Sequence, residues 1–226
     1  MPGFELTLLE QIAVWDRLLS RTPSPRPPHP QLLKRIAAPM GKQQALDLGC
    51  GAGRHFPALF ELGYTVTGLD WSAEACLRAR ALLAGQQLGG QVVKGDFRRL
   101  PFAPGSFHVI IAVDTLHHLL LVDFKRVLGE IKRVLAIGGR AIFNVPTLRN
   151  KPVDFPGIWI EPNTLVLASG PEAGLPHRFF GIDELRMAAQ RFRAATFEPA
   201  AEALPPDQAP LHAGHANEWW WVTLSG

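Results

Sequence analysis

Apolar positions along the chain change period repeatedly, and the changes mark out an alternating helix and strand pattern. In residues 4–19, Leu8, Leu9, Ile12, Trp15 and Leu19 recur at helical spacing, which predicts an amphipathic helix. Residues 21–30 (RTPSPRPPHP) cannot continue it, because proline lacks a backbone donor and holds φ near polyproline II. This segment reads as a stiff connector, with an SH3-type ligand as the alternative. Residues 31–38 read as a short helix. After them, short apolar runs at 45–48, 64–70, 91–94, 108–113 and 140–145 predict strands. Helical patterns beginning at Arg54 and spanning 72–83 and 123–135 separate them. The run at 108–113 is apolar almost throughout, as expected of a central strand buried on both faces. The class predicted is α/β, with a doubly wound sheet.

Past Pro146 the pattern becomes irregular. Residues 157–167 read as two short strands around a Glu161-Pro162-Asn163 turn, and the chain returns through Pro176, His177, Arg178, Phe179 and Phe180. Residues 146–181 are therefore expected to form an insert or lid, because they leave a strand at its C-terminal end, where open α/β sheets bind ligands. A helix is expected at 182–192 and a sixth strand at 194–197. A proline-rich loop over 198–217 precedes a last strand at 218–224. The expected division is a helical cap and connector over 1–40 and one α/β domain over 41–226.

The chemistry concentrates where the first strand ends. Ala45-Leu46-Asp47-Leu48 runs into Gly49, Gly51 and Gly53, a turn whose backbone can approach a ligand closely, and the turn feeds a helix N-terminus. A dinucleotide fingerprint would need a third glycine where Arg54 stands, and the Gly-Lys-Ser/Thr of a P-loop is absent. A pyrophosphate would be repelled by Asp47, whereas a cationic ligand would be favoured by it. Asp70 ends the second strand nineteen residues after Gly51, near the spacing of an acid that binds ribose hydroxyls. Ser72 is the better candidate for capping the helix that follows.

These residues resemble the class I S-adenosylmethionine-dependent methyltransferases, whose glycine motif is similar to LDLGCGAGR. The resemblance continues through YTVTGLD, Gly95-Asp96-Phe97, Thr115-Leu116-His117-His118-Leu119 and EIKRVLAIGGRAIFNV. It implies a Rossmann-like seven-stranded sheet whose last strand is antiparallel and lies between the fifth and sixth. It also implies S-adenosylmethionine as cofactor, with S-adenosylhomocysteine as product. The cofactor-binding residues it points to are Asp47, Gly49, Cys50, Gly51, Arg54, Asp70, Trp71, Asp96, Phe97 and Val113. Asp70 would bridge the ribose hydroxyls. Asp96 would accept from the adenine amino group while Phe97 packs against the base, and Trp71 would either cover the adenine or pack in the core. His108 departs from the family's usual Asp and reads as structural.

Composition adds limits. The chain has 226 residues, 47% hydrophobic, enough for one α/β domain with a sizeable core. A net charge of +3 permits RNA but does not call for it, and Arg78/Arg80, Arg98/Arg99, Lys125/Arg126 and Lys132/Arg133 are scattered pairs. Cys50 and Cys76 form neither a disulfide framework nor a zinc spacing, which points to a reducing cytoplasm. No secretory or membrane-spanning segment is expected.

Transfer from a sulfonium is an in-line displacement in which the protein orients the acceptor, so no general base need be visible and no catalytic residue is assigned. HRFFGIDELR and NEWWWV bear some resemblance to small-molecule methyltransferases, including tellurite-resistance-like ones, so the expected partner is a small-molecule acceptor. An RNA methyltransferase of the tRNA wobble-uridine type and a non-catalytic S-adenosylmethionine-binding protein are the alternatives. Candidate acceptor residues are Trp15, His118, Trp159, His177, Arg178 and Phe179, an aromatic set with a few polar groups. Arg178 and His177 are equally suited to anchoring the insert. No metal is expected: the His117-His118 pair suggests metal or general-base chemistry but reads as structure or packing, and His212, His215 and Glu218 have ligand chemistry but read as solvated loop residues. The Trp219–Trp221 run fits alternate faces of a buried strand more simply than base stacking.

Overall fold

A computed structural model describes residues 7–21, 26–152, 156–201 and 217–226. The chain opens with helix α1 (Leu8–Arg21) and the short α2 (Pro30–Leu33). Then come β1 (Gln43–Leu48), α3 (Phe56–Glu61), β2 (Tyr64–Asp70), α4 (Ala73–Gly85), β3 (Gln91–Lys94) and β4 (Phe107–Ala112). A 3-10 turn at Leu116–His118 leads to α5 (Leu121–Val134) and β5 (Leu135–Pro146). The insert holds β6 (Gly157–Glu161), β7 (Thr164–Leu167) and β8 (Pro176–Arg178), and α6 (Ile182–Ala189), β9 (Ala194–Ala201) and β10 (Glu218–Ser225) complete the chain.

Seven strands form one sheet in the order β3-β2-β1-β4-β5-β10-β9. The pairs among β1 to β5 are parallel, and β10 runs antiparallel between β5 and β9. This is the Rossmann-like sheet, and antiparallel last strand, that the motif order implies. A buried core lies on each face. Phe124, Val127, Leu128, Ile131 and Val134 of α5 lie on one helical stripe and enter one core. Each contributes about 1.5–3 kcal/mol by leaving water. Phe56, Leu59, Cys76 and Ala79 from α3 and α4 enter the other. On β10, Trp221 belongs to this second core, while Val222 and Leu224 belong to the first, as strand alternation requires.

Several boundaries differ from those the pattern predicts. The helix expected from Arg54 begins at Phe56, because residues 51–55 are spent on the turn out of the glycine loop. The helix expected over 31–38 is a single turn. Strand β9 runs to Ala201 rather than stopping at 197, since β10 pairs along its whole length. His108 lies inside β4, where its Nδ1 accepts from the Gln44 amide at 3.2 Å, a structural contact between neighbouring strands. In α1, Leu9 is exposed and Val14 is the buried residue, so the docked stripe is rotated from the one counted on Leu9.

The insert is a three-stranded antiparallel sheet, order β6-β7-β8, one strand more than the sequence suggests. The Pro162-Asn163 turn joins β6 and β7 as expected. Arg178, 3% exposed, ties the insert together: it donates to Glu161 at 2.8 Å, to Thr164 at 2.9 Å and to Glu184 of α6. Glu161 also accepts from Leu121 N at 3.1 Å, at the N-terminus of α5, where the free amides favour a carboxylate. The insert is thereby fixed over the C-terminal end of β4.

Candidate cofactor and acceptor site

The glycine loop leaves β1 with Gly49, Gly51 and Gly53 at φ of +74°, +53° and +84°. Gly49 N and Cys50 N both donate to Leu69 O, at 2.8 and 3.1 Å, which straps the loop to β2. Gly51 N donates to Asp70 Oδ2 at 2.9 Å. A Cβ at Gly49 would lie 2.3 Å from Thr115 Cγ2, whereas one at Gly51 would meet nothing within 4 Å. Gly51 therefore faces an open cradle. The Cys50 thiol is buried beneath the loop against Gly68, and burial pushes its pKa well up. Of Cys50, the backbone is the part available to a ligand.

Three acids surround this loop. Asp70 is buried, its Oδ1 accepting from Ser72 N at 2.9 Å. Burial raises its pKa to about 6; the Ser72 and Gly51 amides oppose the rise and the charge of Asp47 adds to it. Asp47 is 1% exposed, with Oδ2 3.4 Å from His55 Nδ1 and without a hydrogen-bond partner. Asp114, past the end of β4, has φ of +55° and is held in a two-way exchange with the buried Asn144. Its amide donates to Asn144 Oδ1, and Asn144 Nδ2 donates to Asp114 Oδ1, both at 2.7 Å. Arg54 pairs with its other oxygen at 2.6 Å. Burial works against ionisation of Asp114, but Arg54 and Asn144 outweigh it and hold the pKa at about 2.

Trp71 and Phe97 stack on each other at 4.7 Å and 22°, and both are buried. At that spacing no base can enter between them, so Trp71 packs in the core beside Phe97 and at most an edge of the pair borders the site. Asp96 is gripped by Arg98, whose Nη2 lies 2.7 Å from Oδ2. Burial opposes ionisation of Asp96 too, and the Arg98 guanidinium overcomes it, leaving the pKa below the usual range. Val113 is buried directly after β4 and offers backbone only.

The acceptor candidates separate into two groups. Trp15 of α1 meets His118 at 4.8 Å, edge to ring, and His118 meets His177 of β8 at 4.8 Å. His118 Nδ1 lies 3.0 Å from Pro176 O, and burial drives its pKa down to about 4. Trp159, Phe179 and Arg178 lie apart from these rings. Phe179 is buried with Leu165 and Leu167 in the insert's own core, and Trp159, 40% exposed, packs 6.2 Å from it beneath Lys151. The Arg178 guanidinium is engaged by Glu161 and Glu184, so of the two roles open to it the geometry is that of an anchor. His212 and His215 lie outside the described residues.

Three contributors stand outside the set of candidate site residues. Asp16 of α1 accepts from the Ser72 hydroxyl and from Glu74 N, Asn144 fixes Asp114, and Glu161 docks the insert. Asp16 stands one residue after Trp15 on the predicted amphipathic helix, the only local signal it had.

Residues 46–143 match the model of a family described as a methyltransferase domain. Over these residues the chain is similar to S-adenosylmethionine-dependent methyltransferases, as the motifs of its sequence imply. An uncharacterized methyltransferase of Synechocystis sp. is 32% identical over 49% of this chain and 50% of its own. A ubiquinone/menaquinone biosynthesis C-methyltransferase of Desulfotalea psychrophila is 36% identical over 51% of this chain and 46% of its own. The chain thus spans about half the length of the curated relatives it matches. In fold, it is similar to an S-adenosylmethionine-dependent methyltransferase from Methanosarcina mazei: TM-score 0.67, 20% identity, covering 88% of this chain and 98% of that one.

The residues of the site fit S-adenosylmethionine, the cofactor that the sequence resemblance implies. The cradle at Gly51 is the space a Cβ would fill. Asp47 and Asp70 are buried acids at the ends of adjacent strands, suited to a ligand that brings positive charge and hydroxyl donors. Among the described residues, no helix is long and apolar enough to cross a membrane.

Proposed function

We propose that this protein transfers the methyl group of S-adenosylmethionine to a small-molecule acceptor. The observation that carries the reading is the meeting of Trp15, His118 and His177. A helix from the start of the chain and a strand of the insert close on the end of β4, on the same edge of the sheet as the glycine loop. Aromatic walls with a few polar groups suit a small acceptor.

Bound S-adenosylmethionine would supply an electrophilic methyl on a sulfonium. In this reading Asp70 accepts from the ribose hydroxyls, and the Gly49–Gly51 backbone allows close approach. Asp47 offsets positive charge, Asp96 accepts from the adenine amino group, and Phe97 with Trp71 supports the base from the core side. Arg54 acts by holding Asp114. The helix and insert orient the acceptor and exclude water, which is what in-line displacement asks of the protein.

A small acceptor accords with the quinone biosynthesis in the name of the Desulfotalea relative, and with how the basic residues are used. Arg98 pairs with Asp96 and Asp123, Arg133 with Glu130, and Arg78 and Arg80 donate to the Leu19 and Val92 carbonyls. Arginines committed to internal partners are less available to phosphates. An acceptor screen with methyl-labelled cofactor against metabolite extract and bulk tRNA tests the reading. Label in the small-molecule fraction is expected. Label in tRNA would replace it with the RNA reading, and cofactor binding without transfer to either pool would favour a non-catalytic role.

A further inference from the structure

We propose that His117, His118 and His177 form a binding site for a divalent transition-metal ion of the zinc class. His117 and His118 lie in the 3-10 turn straight after β4, and His177 lies in the middle strand position of β8. They converge because the insert folds back over that turn. One ligand nitrogen from each lies within 4.8 Å of the others. A tetrahedral zinc ion, with Zn–N near 2.0–2.1 Å, holds its nitrogens about 3.4 Å apart. Small side-chain rotations would therefore close the site.

The surroundings of the rings provide an independent argument. Imidazoles that bind metals commonly donate their other N–H to a backbone carbonyl or a carboxylate, which fixes the tautomer and the ring plane. His118 has such a partner in Pro176 O, 3.0 Å from Nδ1, which leaves Nε2 for an ion. His177 has a carboxylate close by in Glu172, whose Oε2 is 3.3 Å from Nε2, within ion-pair reach though outside hydrogen-bond geometry, and Nδ1 is its other ring nitrogen. One carbonyl thus orients the His118 ring and one carboxylate stands beside the His177 ring, both supplied by the insert. Trp15 and Trp219 wall the cluster, at 4.8 Å from His118 and 5.1 Å from His117.

Burial and charge agree with this assignment. His117 and His118 are almost fully buried, while the His177 side chain is 15% exposed and marks the side from which an ion would enter. Neutral imidazoles add no charge of their own, and Glu172 beside His177 offsets part of a dication's. Three protein nitrogens leave a fourth tetrahedral position for water or another exogenous donor. The site does not depend on methyl transfer: its ligands come from the turn and the insert, and none belongs to the glycine loop.

The test is titration of the full chain, stripped with EDTA, by Zn²⁺ in a calorimeter and by Co²⁺ in a visible spectrometer. One ion per chain is expected, with the strong visible absorption of tetrahedral cobalt. His177→Ala should lower affinity at least tenfold and remove that absorption, and Glu172→Gln should lower affinity about tenfold, in the range of outer-shell partners. His212→Ala/His215→Ala should bind as the wild type does. S-adenosylhomocysteine binding by each variant reports that it is folded; should His177→Ala fail this, His177→Asn takes its place. The proposal is overturned if the wild type shows no saturable one-to-one binding. It is equally overturned if binding survives His177→Ala and disappears with His212→Ala/His215→Ala.

Discussion

Asp16 of α1 accepts a hydrogen bond from the Ser72 hydroxyl, and Ser72 donates its own amide to Asp70 at 2.9 Å. A helix from the beginning of the chain is thereby joined, through one capping serine, to the acid at the end of β2. Asp16 also accepts from Glu74 N at 3.2 Å, so it shares the N-terminus of α4 with the Ser72 cap. Removing the carboxylate should release α1 and unsettle Asp70. For Asp16→Ala we expect a loss of about 1–2 kcal/mol in urea denaturation. Affinity for S-adenosylhomocysteine should fall several-fold. Asp16→Asn, which keeps an acceptor oxygen, should recover part of both. Wild-type stability and affinity in Asp16→Ala would show that the helix is held by its apolar stripe alone.

The Asp70 carboxyl titrates at about 6 in the folded protein, against 3.8 for an ordinary aspartate. Because the folded value is the higher one, the folded state binds the proton more tightly, and this stabilisation is complete below 3.8 and lost as pH rises through 6. The difference corresponds to about 3 kcal/mol. The stability of Asp70→Asn relative to wild type should therefore rise between pH 4 and pH 7 by up to that amount. Cofactor binding has the opposite dependence, since the ionised carboxylate is the better acceptor for ribose hydroxyls. Wild-type affinity should decline towards tenfold per unit below pH 6, and Asp70→Asn should flatten the profile. A stability difference that does not change with pH would mean that Asp70 is not the group titrating there.

Gly51 and Gly49 both have positive φ but differ in what a side chain would meet. Gly51→Ala places its methyl in open space, so the cost to folding is the backbone term, about 1–2 kcal/mol. The methyl would nevertheless stand in the cradle, and S-adenosylhomocysteine binding should fall at least tenfold. Gly49→Ala drives its methyl into Thr115 and should be the more destabilising of the two by thermal melting. If Gly51→Ala binds the cofactor product as wild type does, the cradle lies elsewhere on the loop.

Arg178 and Trp159 provide a contrast within the insert. Arg178→Ala leaves Glu161 and Glu184 without their buried partner and should cost about 3–5 kcal/mol. Trp159→Ala removes a 40% exposed ring that lies apart from the Trp15, His118 and His177 rings, and should leave both stability and cofactor affinity close to wild type. The two are separated by urea denaturation alongside S-adenosylhomocysteine calorimetry. A Trp159→Ala protein that is destabilised as far as Arg178→Ala would make that ring a structural clamp of the insert.

The parallel core was legible in the sequence because local patterns carry it. The run through Asp47 to Gly53, the acid ending β2, the Ser72 cap and the buried strand β4 each depend on residues a few positions apart. Backbone conformation and burial on a strand or helix face are dictated at that range. Even the place of the last strand followed from motif order, through resemblance. What the residues alone could not reveal were partners far apart in sequence. Asp16 with Ser72, Arg54 with Asp114, Arg178 with Glu161, and His117 and His118 with His177 meet only once the tertiary fold has formed. Each of those side chains also has an ordinary use as a solvated or capping residue, so its type does not determine its role. The tautomer of His118, the charge of Asp70 and the third strand of the insert arise from distant segments that share a buried volume. Burial and Coulomb attraction depend on distance in space, and the order of residues along the chain leaves that distance open until the tertiary fold sets it.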